Sequence, residues 1–125
     1  MPLVQIHLRE GKSAAYLRAL SNGIDAVTST AFATKDNPRP GKFQTISTYK
    51  KGYHFVDKSF ANVKRSDQTI YITILTTKMP TAAKKKLYKD LVKRLGKAIK
   101  VRKEALFIAV IELPAQNWFI GKEIG

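Results

Sequence analysis

Pro2-Leu3-Val4-Gln5-Ile6-His7-Leu8 is the stretch that decides the fold of this chain. Its apolar residues occur at both odd and even positions, which indicates a strand covered on both faces and therefore lying inside a sheet. A proline is tolerated in such a strand only at the first position, where no ladder hydrogen bond is lost. Because Met1 precedes a small residue, we expect it to be removed, which would leave Pro2 with a free secondary amine.

A helix and a second strand follow the opening strand. Ser13 is predicted to cap a helix that runs to about Phe32. The apolar stripe of this helix, at spacings of three and four, comprises Leu17, Leu20, Ile24, Val27 and Ala31. Residues 35–41 are rich in helix-breaking and turn-forming residues and indicate a loop, and residues 43–49 predict a second strand.

The same order of elements is repeated in the second half of the chain. After a less regular connector, residues 69–75 are rich in β-branched side chains and predict a central strand. Pro80-Thr81 opens a helix that runs to about Lys100, and residues 106–112 predict a fourth strand. The buried face of this second helix is predicted to comprise Leu87, Leu91, Val92, Leu95 and Ile99.

These patterns predict an α/β (α+β) fold in which two consecutive β-α-β units merge into a four-stranded mixed sheet with both helices on one face. We expect residues 1–125 to form a single domain with pseudo-repeats at 2–49 and 69–112. The opposite sheet face would be bare, and a homo-oligomer is the simplest way to cover it. Four residues are candidates for either face: Phe43, Ile46, Tyr71 and Phe107.

Composition limits the chemistry that this chain can perform. The 125 residues include no cysteine, which excludes disulfides, thiol catalysis and thiolate metal sites. No stretch resembles a signal peptide or a membrane span, so we expect a cytoplasmic protein without a membrane partner. The 23 lysines and arginines outnumber the 9 acidic residues by 14. This excess favours anionic partners, and charge alone does not distinguish small carboxylates from nucleic acid or anionic lipid.

The opening stretch and the duplicated layout together resemble the tautomerase superfamily. Glu10-Gly11-Lys12-Ser13 follows the opening strand as it does in members similar to 4-oxalocrotonate tautomerase. The chain length, residues 43–47 and the Asn117-Trp118-x-x-Gly121 tail are most similar to the malonate semialdehyde decarboxylase-like members. The resemblance covers essentially the whole chain.

This resemblance implies the β-α-β tautomerase fold, a homotrimer, and an active site around Pro2 that neighbouring subunits help to line. It implies a cofactor-independent isomerase, without metal or organic cofactor, that acts on 2-oxo acids or related small anionic carbonyl compounds. General chemistry supports Pro2 as a base and acid. An α-amino group has a pKa of about 7.7–8.0, and burial near apolar groups and cations lowers the pKa of an amine. Such an amine is well matched to move a proton from carbon at neutral pH.

The candidate substrate-binding residues are Lys12, Arg39, Thr77, Lys78 and Trp118. Lys12 occupies the turn where the family usually has a substrate-binding arginine, and the helix amino-terminus beside it favours an anion. Thr77 and Lys78 occupy the equivalent turn of the second half, where the decarboxylase group has arginines that this chain lacks. Arg39 lies in the loop before the second strand, and Trp118 matches the tail tryptophan of the family as an apolar wall.

Two alternatives remain open at the level of sequence. One is a lyase similar to malonate semialdehyde decarboxylase. The other is a basic nucleic-acid-binding protein or a catalytically inactive family member, because residues 81–100 carry seven lysines and one arginine. Lysine runs on an amphipathic helix are usually a solvated face, and no nucleic-acid motif is present, so we do not expect a nucleic-acid partner. His7 and His54 have no further ligand at suitable spacing, so no metal site is predicted.

Overall fold

The computed structural model describes residues 2–125, and the expected removal of Met1 concerns a residue outside this range. The elements in chain order are β1 (Pro2–Arg9), α1 (Ala14–Ala31), β2 (Phe43–Tyr49), β3 (Ile70–Thr76), α2 (Thr81–Ile99) and β4 (Leu106–Glu112). Short 3-10 turns lie at Phe60–Asn62, Lys103–Ala105 and Ala115–Asn117. The strands predicted at 43–49 and 106–112 are confirmed with the same ends, and the other main elements differ by one residue at their ends.

The four strands form one mixed sheet in the order β2-β1-β3-β4. The pairs β1–β2 and β3–β4 are parallel, whereas β1 and β3 are antiparallel. The predicted pair of β-α-β units and the interior position of β1 are therefore confirmed. This pairing aligns Pro2, Phe43, Thr76 and Glu112 across the four strands at the same end of the sheet, which we call the Pro2 end.

Both helices pack on one face of the sheet, where alternate residues of β1 and β3 are buried. The buried apolar residues are Val4, Ile6, Leu8, Leu20, Ile24, Val27, Ile70, Ile72, Ile74, Met79, Leu87, Leu91 and Leu95. Gly23 lets α1 approach α2, since a Cβ there would lie 2.9 Å from Leu95 Cδ2. The predicted helix stripes need one correction, because Ala31 is exposed at the end of α1, where it borders an open cavity. Val92 and Ile99 are only partly buried.

The two helices begin differently. Ser13 caps α1 as predicted, and its Oγ accepts a hydrogen bond from the Tyr16 N–H at 3.1 Å. Pro80 precedes α2 and provides no side-chain cap, and the first turn of α2 contains no acidic residue. The amino-terminus of α2 therefore lacks, within its own segment, the negative group that usually stabilises this end of a helix.

The face of the sheet opposite the helices carries Phe43, Tyr71 and Phe107, whereas Ile46 packs toward the helices. Phe43 is 58% exposed, Phe107 46% and Ile111 44%, so large apolar side chains on this face are only partly covered by the described residues. We refer to it as the bare face. Its exposure agrees with the predicted homo-oligomer, because contiguous apolar surface on a protein commonly marks an interface.

The connector between β2 and β3 covers only the part of the bare face remote from Pro2. His54 in this connector is buried and donates a hydrogen bond from Nε2 to the Thr69 carbonyl at 2.7 Å. The rings of His7, Tyr49, His54 and Tyr71 form a row with successive centroid distances of 5.7, 6.1 and 4.8 Å. The two histidines therefore have structural partners far from the Pro2 end.

Candidate active site at the Pro2 end

Pro2 lies beside an apolar cavity of about 310 Å³. It is buried at the start of β1 and pairs with Thr76 of β3. The cavity is lined by Pro2, Leu3, Phe43, Trp118, Phe119 and Ile120. Because none of these side chains is charged, the cavity suits an apolar group lying next to the proline ring.

The tail after β4 brings Trp118 to this cavity. The Leu113 N–H donates to the Thr76 carbonyl at 2.8 Å, which continues the pairing of β3 and β4 by one residue. Pro114 then starts a 3-10 turn, and the Trp118 Nε1–H donates back to the Leu113 carbonyl at 3.3 Å. Satisfying the indole nitrogen in this way leaves the ring face free to form the predicted apolar wall.

Thr77 and Lys78 line a second cavity at the same end of the sheet. This cavity of about 360 Å³ is bordered by the turn after β3 and by the end of α1. Its lining comprises Ala31, Phe32, Thr34, Asn37, Thr76, Thr77, Lys78, Met79, Pro80 and Ala83. Thr76, which lines this second cavity, pairs with Pro2, which lines the first. The first cavity is mostly apolar, and the second is lined by a cation and by threonine hydroxyls.

Glu112 is a residue of this region that the sequence did not reveal. Its Oε2 accepts a hydrogen bond from the Met79 N–H at 2.6 Å, and its Oε1 accepts one from Lys84 Nζ at 2.6 Å. The Lys84 hydrogen bond, followed by that of Met79, holds the pKa of Glu112 below its usual value. Two features of the sequence could have predicted this contact. The fourth strand ends with a carboxylate, and the first turn of the second helix contains no acidic residue.

Replacing Glu112 with glutamine should reduce the acid sensitivity of the fold. Because the folded-state pKa is lowered, the carboxylate stabilises the protein above the unfolded pKa, and this contribution is lost as the pH falls through the folded pKa. We expect the melting temperature of the wild type to fall more steeply than that of the variant between about pH 5 and pH 3. Glu10→Gln, which removes an exposed carboxylate at the other end of β1, is the matched control. Parallel curves for all three proteins would contradict this expectation.

The remaining two predicted substrate-binding residues lie apart from the cavities. Lys12 follows the far end of β1, which at about 3.3 Å per residue is some 25 Å from Pro2. Its Nζ lies 4.8 Å from the centre of the Tyr16 ring. Arg39 is exposed in the loop that leads into Phe43 and therefore returns toward the Pro2 end. Within a single chain, Lys12 cannot reach a molecule held beside Pro2, whereas the Arg39 loop ends close to it.

A cavity of about 520 Å³ opens on the bare face rather than at Pro2. His7, Arg65, Tyr71 and Phe107 contribute to its lining, and Arg65 is occupied by hydrogen bonds to the Phe60 and Val63 carbonyls. Across residues 2–125, no group of three or more histidine, aspartate or glutamate side chains is arranged to hold a metal ion. Neither helix in that range has the length and apolarity needed to cross a membrane.

Comparison with known proteins identifies relatives along almost the entire chain. A family model described as a tautomerase enzyme matches residues 41–121. The probable tautomerase YusQ of Bacillus subtilis (strain 168) is 35% identical over 122 residues, which span 97% of this chain and 94% of YusQ. The match includes the strand that begins with Pro2 as well as the tail that contains Trp118.

Solved structures share the same architecture at lower sequence identity. A malonate semialdehyde decarboxylase superposes with a TM-score of 0.83 and 21% identity, over 96% of this chain and 91% of that protein. A fused 4-OT protein described as a symmetric trimer superposes with a TM-score of 0.71 and 10% identity, over 93% of this chain and 91% of that protein. These likenesses establish the fold and leave the chemistry to be argued from the residues at the Pro2 end.

Proposed function

This chain belongs to the tautomerase family of enzymes, and from that membership we propose that it interconverts the keto and enol forms of 2-oxo acids with Pro2 as the proton carrier. The observation that carries the proposal is that Pro2 lines an apolar cavity and pairs with Thr76, which lines a second cavity together with Lys78. Removal of Met1 is required, since an amide nitrogen has no basicity. The amine of Pro2 then takes a proton from the carbon beside the carbonyl.

The proton balance of this reaction needs only one group that alternates between base and acid. As the C–H bond breaks, its electron pair forms the carbon–carbon double bond and the π pair of the C=O bond moves onto the oxygen. The oxygen then receives a proton from protonated Pro2 to give the enol. Protonated Pro2 can return a proton in either direction. We assign Lys78 and Thr77 to the substrate carboxylate, with Arg39 as a further cation from the adjoining loop. Thr77 and Met79 provide no guanidinium in this turn, which favours tautomerisation over decarboxylation.

The two cavities favour a substrate with one charged end and one apolar end. A 2-oxo acid with an aromatic side chain would place its carboxylate near Lys78 and its ring beside Trp118 and Phe43. A dicarboxylate such as 2-hydroxymuconate would place its second charge in the apolar cavity, where no cation lies within the lining. Burying an unpaired carboxylate is unfavourable, so we assign this enzyme to arylated or alkylated 2-oxo monoacids.

Trp118→Ala should lower kcat/KM for phenylpyruvate about tenfold, because the ring of the substrate loses an apolar contact of roughly 1.5 kcal/mol. The wild type should also prefer phenylpyruvate to 2-hydroxymuconate, and the substitution should narrow this preference. Initial rates of enol–keto conversion, followed by ultraviolet absorbance for both substrates, measure the two effects. Trp118→Phe keeps an aromatic wall and serves as the matched control. A preference for the dicarboxylate in the wild type would disprove the assigned substrate class.

We further propose that the active enzyme is a homotrimer built through the bare face. Two features support it: the exposed side chains of Phe43, Phe107 and Ile111, and the position of Lys12 about 25 Å from Pro2 in its own chain. Packing of bare faces against one another would cover these exposed apolar side chains. It would also allow Lys12 of one subunit to approach Pro2 of another. The fused 4-OT protein, which shares this fold and is described as a trimer, agrees with this assembly.

A further inference from the structure

We propose that Glu112 is a positioning residue that fixes the turn carrying Thr77 and Lys78 and thereby orients the cation that receives the substrate carboxylate. This inference rests on the proposed function, because it assigns Glu112 a part in binding at the same site. Glu112 is not itself among the lining residues of either cavity, so its effect must pass through the lining residues that it contacts, such as Met79.

Glu112 joins three elements with a single carboxylate. It ends β4 opposite Thr76, and its two oxygens reach the Met79 N–H in the turn and Lys84 in the first turn of α2, both at 2.6 Å. The Leu113 N–H, next along the chain, binds the Thr76 carbonyl at 2.8 Å. The turn between β3 and α2 is therefore tied to β4 on both sides of Thr77 and Lys78.

The hydrogen bonds of Glu112 also affect the amino-terminus of α2. Pro80 gives no side-chain cap, and no acidic residue occurs in the first helical turn. Glu112 supplies the missing negative charge from another strand, close to the positive end of the helix dipole. The charge of Lys78 also acts on the Glu112 carboxyl, as one of the causes that lower its pKa. The carboxylate thus holds the backbone of the turn and attracts the side chain that the substrate must use.

Loss of this tie should weaken substrate binding more than it slows the chemical step. Pro2 is held by its own pairing in the centre of the sheet, so the base remains in position when the turn loosens. Lys78 lies on the turn itself and is exposed, so its position depends on the backbone beneath it. A residue acting in this manner changes KM, whereas a group that contacts the reacting atoms changes kcat.

The experiment measures KM and kcat for phenylpyruvate in four proteins: wild type, Glu112→Ala, Glu112→Gln and Asp90→Ala. Asp90 forms an ion pair of the same length, 2.6 Å, with Lys86 on the exposed side of α2, so its removal is the matched control. We expect Glu112→Ala to raise KM about tenfold with kcat changed less than about threefold. Glu112→Gln keeps an acceptor for the Met79 N–H but removes the charge that pairs with Lys84, so it should raise KM less than Glu112→Ala does. Asp90→Ala should match the wild type.

A second variant guards against an effect of folding alone. Lys84→Met keeps the side-chain length and removes the ion pair, and it should raise KM in the same direction while the melting temperature reports the stability change separately. An unchanged KM in Glu112→Ala, or an equal rise in Asp90→Ala, overturns the positioning role. If Pro2→Ala at the same time keeps full turnover, the proposed function fails instead, so the two failures are distinguished by which variant loses activity.

Discussion

Pro2→Ala should lower kcat for phenylpyruvate tautomerisation by about a hundredfold to ten-thousandfold, the range typical for loss of a general acid–base catalyst. The proline ring fixes the direction of the nitrogen lone pair relative to the strand, whereas an alanine amine rotates and is more readily hydrated. Because KM depends on the cations and on Trp118, we expect it to change little. Initial-rate measurements with the purified variant, whose N-terminus is verified by mass spectrometry, test this expectation.

The control for this prediction is the wild-type sequence with Met1 retained. Its Pro2 nitrogen is an amide, so this form should be as inactive as the variant, although every other residue is unchanged. Melting temperatures establish whether all three proteins are folded. Full turnover in Pro2→Ala or in the Met1-retaining form would contradict proline catalysis and leave only the family fold.

Ala109→Asp should convert a trimer of about 42 kDa, three times the 14.0 kDa chain, into monomers and lower turnover about a hundredfold or more. Ala109 is exposed on the bare face in β4, beside Thr73. In an isolated chain the new carboxylate would be solvated, whereas in the proposed trimer it would be buried at a cost of several kcal/mol. Arg65 lines the same cavity as Ala109 but is already hydrogen-bonded to the Phe60 and Val63 carbonyls. Turnover should fall when the trimer dissociates, since Lys12 would no longer reach the Pro2 of a neighbouring subunit.

Light scattering coupled to size-exclusion chromatography measures the mass, and the phenylpyruvate assay measures turnover on the same fractions. Asn22→Asp also adds a carboxylate, at an exposed position in the middle of α1 on the helix side of the molecule, and should leave both mass and turnover unchanged. A wild-type protein that elutes as an active monomer would refute the trimer and the role of a neighbouring Lys12. Retention of the trimer by Ala109→Asp would place the interface elsewhere.

Local patterns in the sequence predicted most of the fold. The strand residues 43–49 and 106–112 are bounded by glycine, lysine and proline-containing turns, so their ends could be located without any tertiary contact. Ser13 caps α1 because its side chain satisfies a backbone donor three residues away, which is a local interaction. The apolar pattern of β1 predicted its interior position, and β1 has a neighbouring strand on each side, although the helices cover only one of its faces.

The faces of the sheet and the partners of long side chains required the tertiary structure. Glu112 and Met79 are 33 residues apart, and Trp118 reaches the cavity of Pro2 from the other end of the chain. No local preference encodes such contacts, because they arise only when β4 pairs with β3 and the tail folds back.

The sequence by itself determined the duplicated β-α-β layout and singled out Pro2, because hydrophobic periodicity and a strand-starting proline are properties of short segments. Only the tertiary structure decided that Pro2 lines an apolar cavity beside Trp118, that Lys12 is remote from Pro2 within one chain, and that Glu112 bonds to the turn that carries Thr77 and Lys78. These arrangements follow from the antiparallel pairing of β1 with β3, which brings residues distant in sequence to one edge of the sheet.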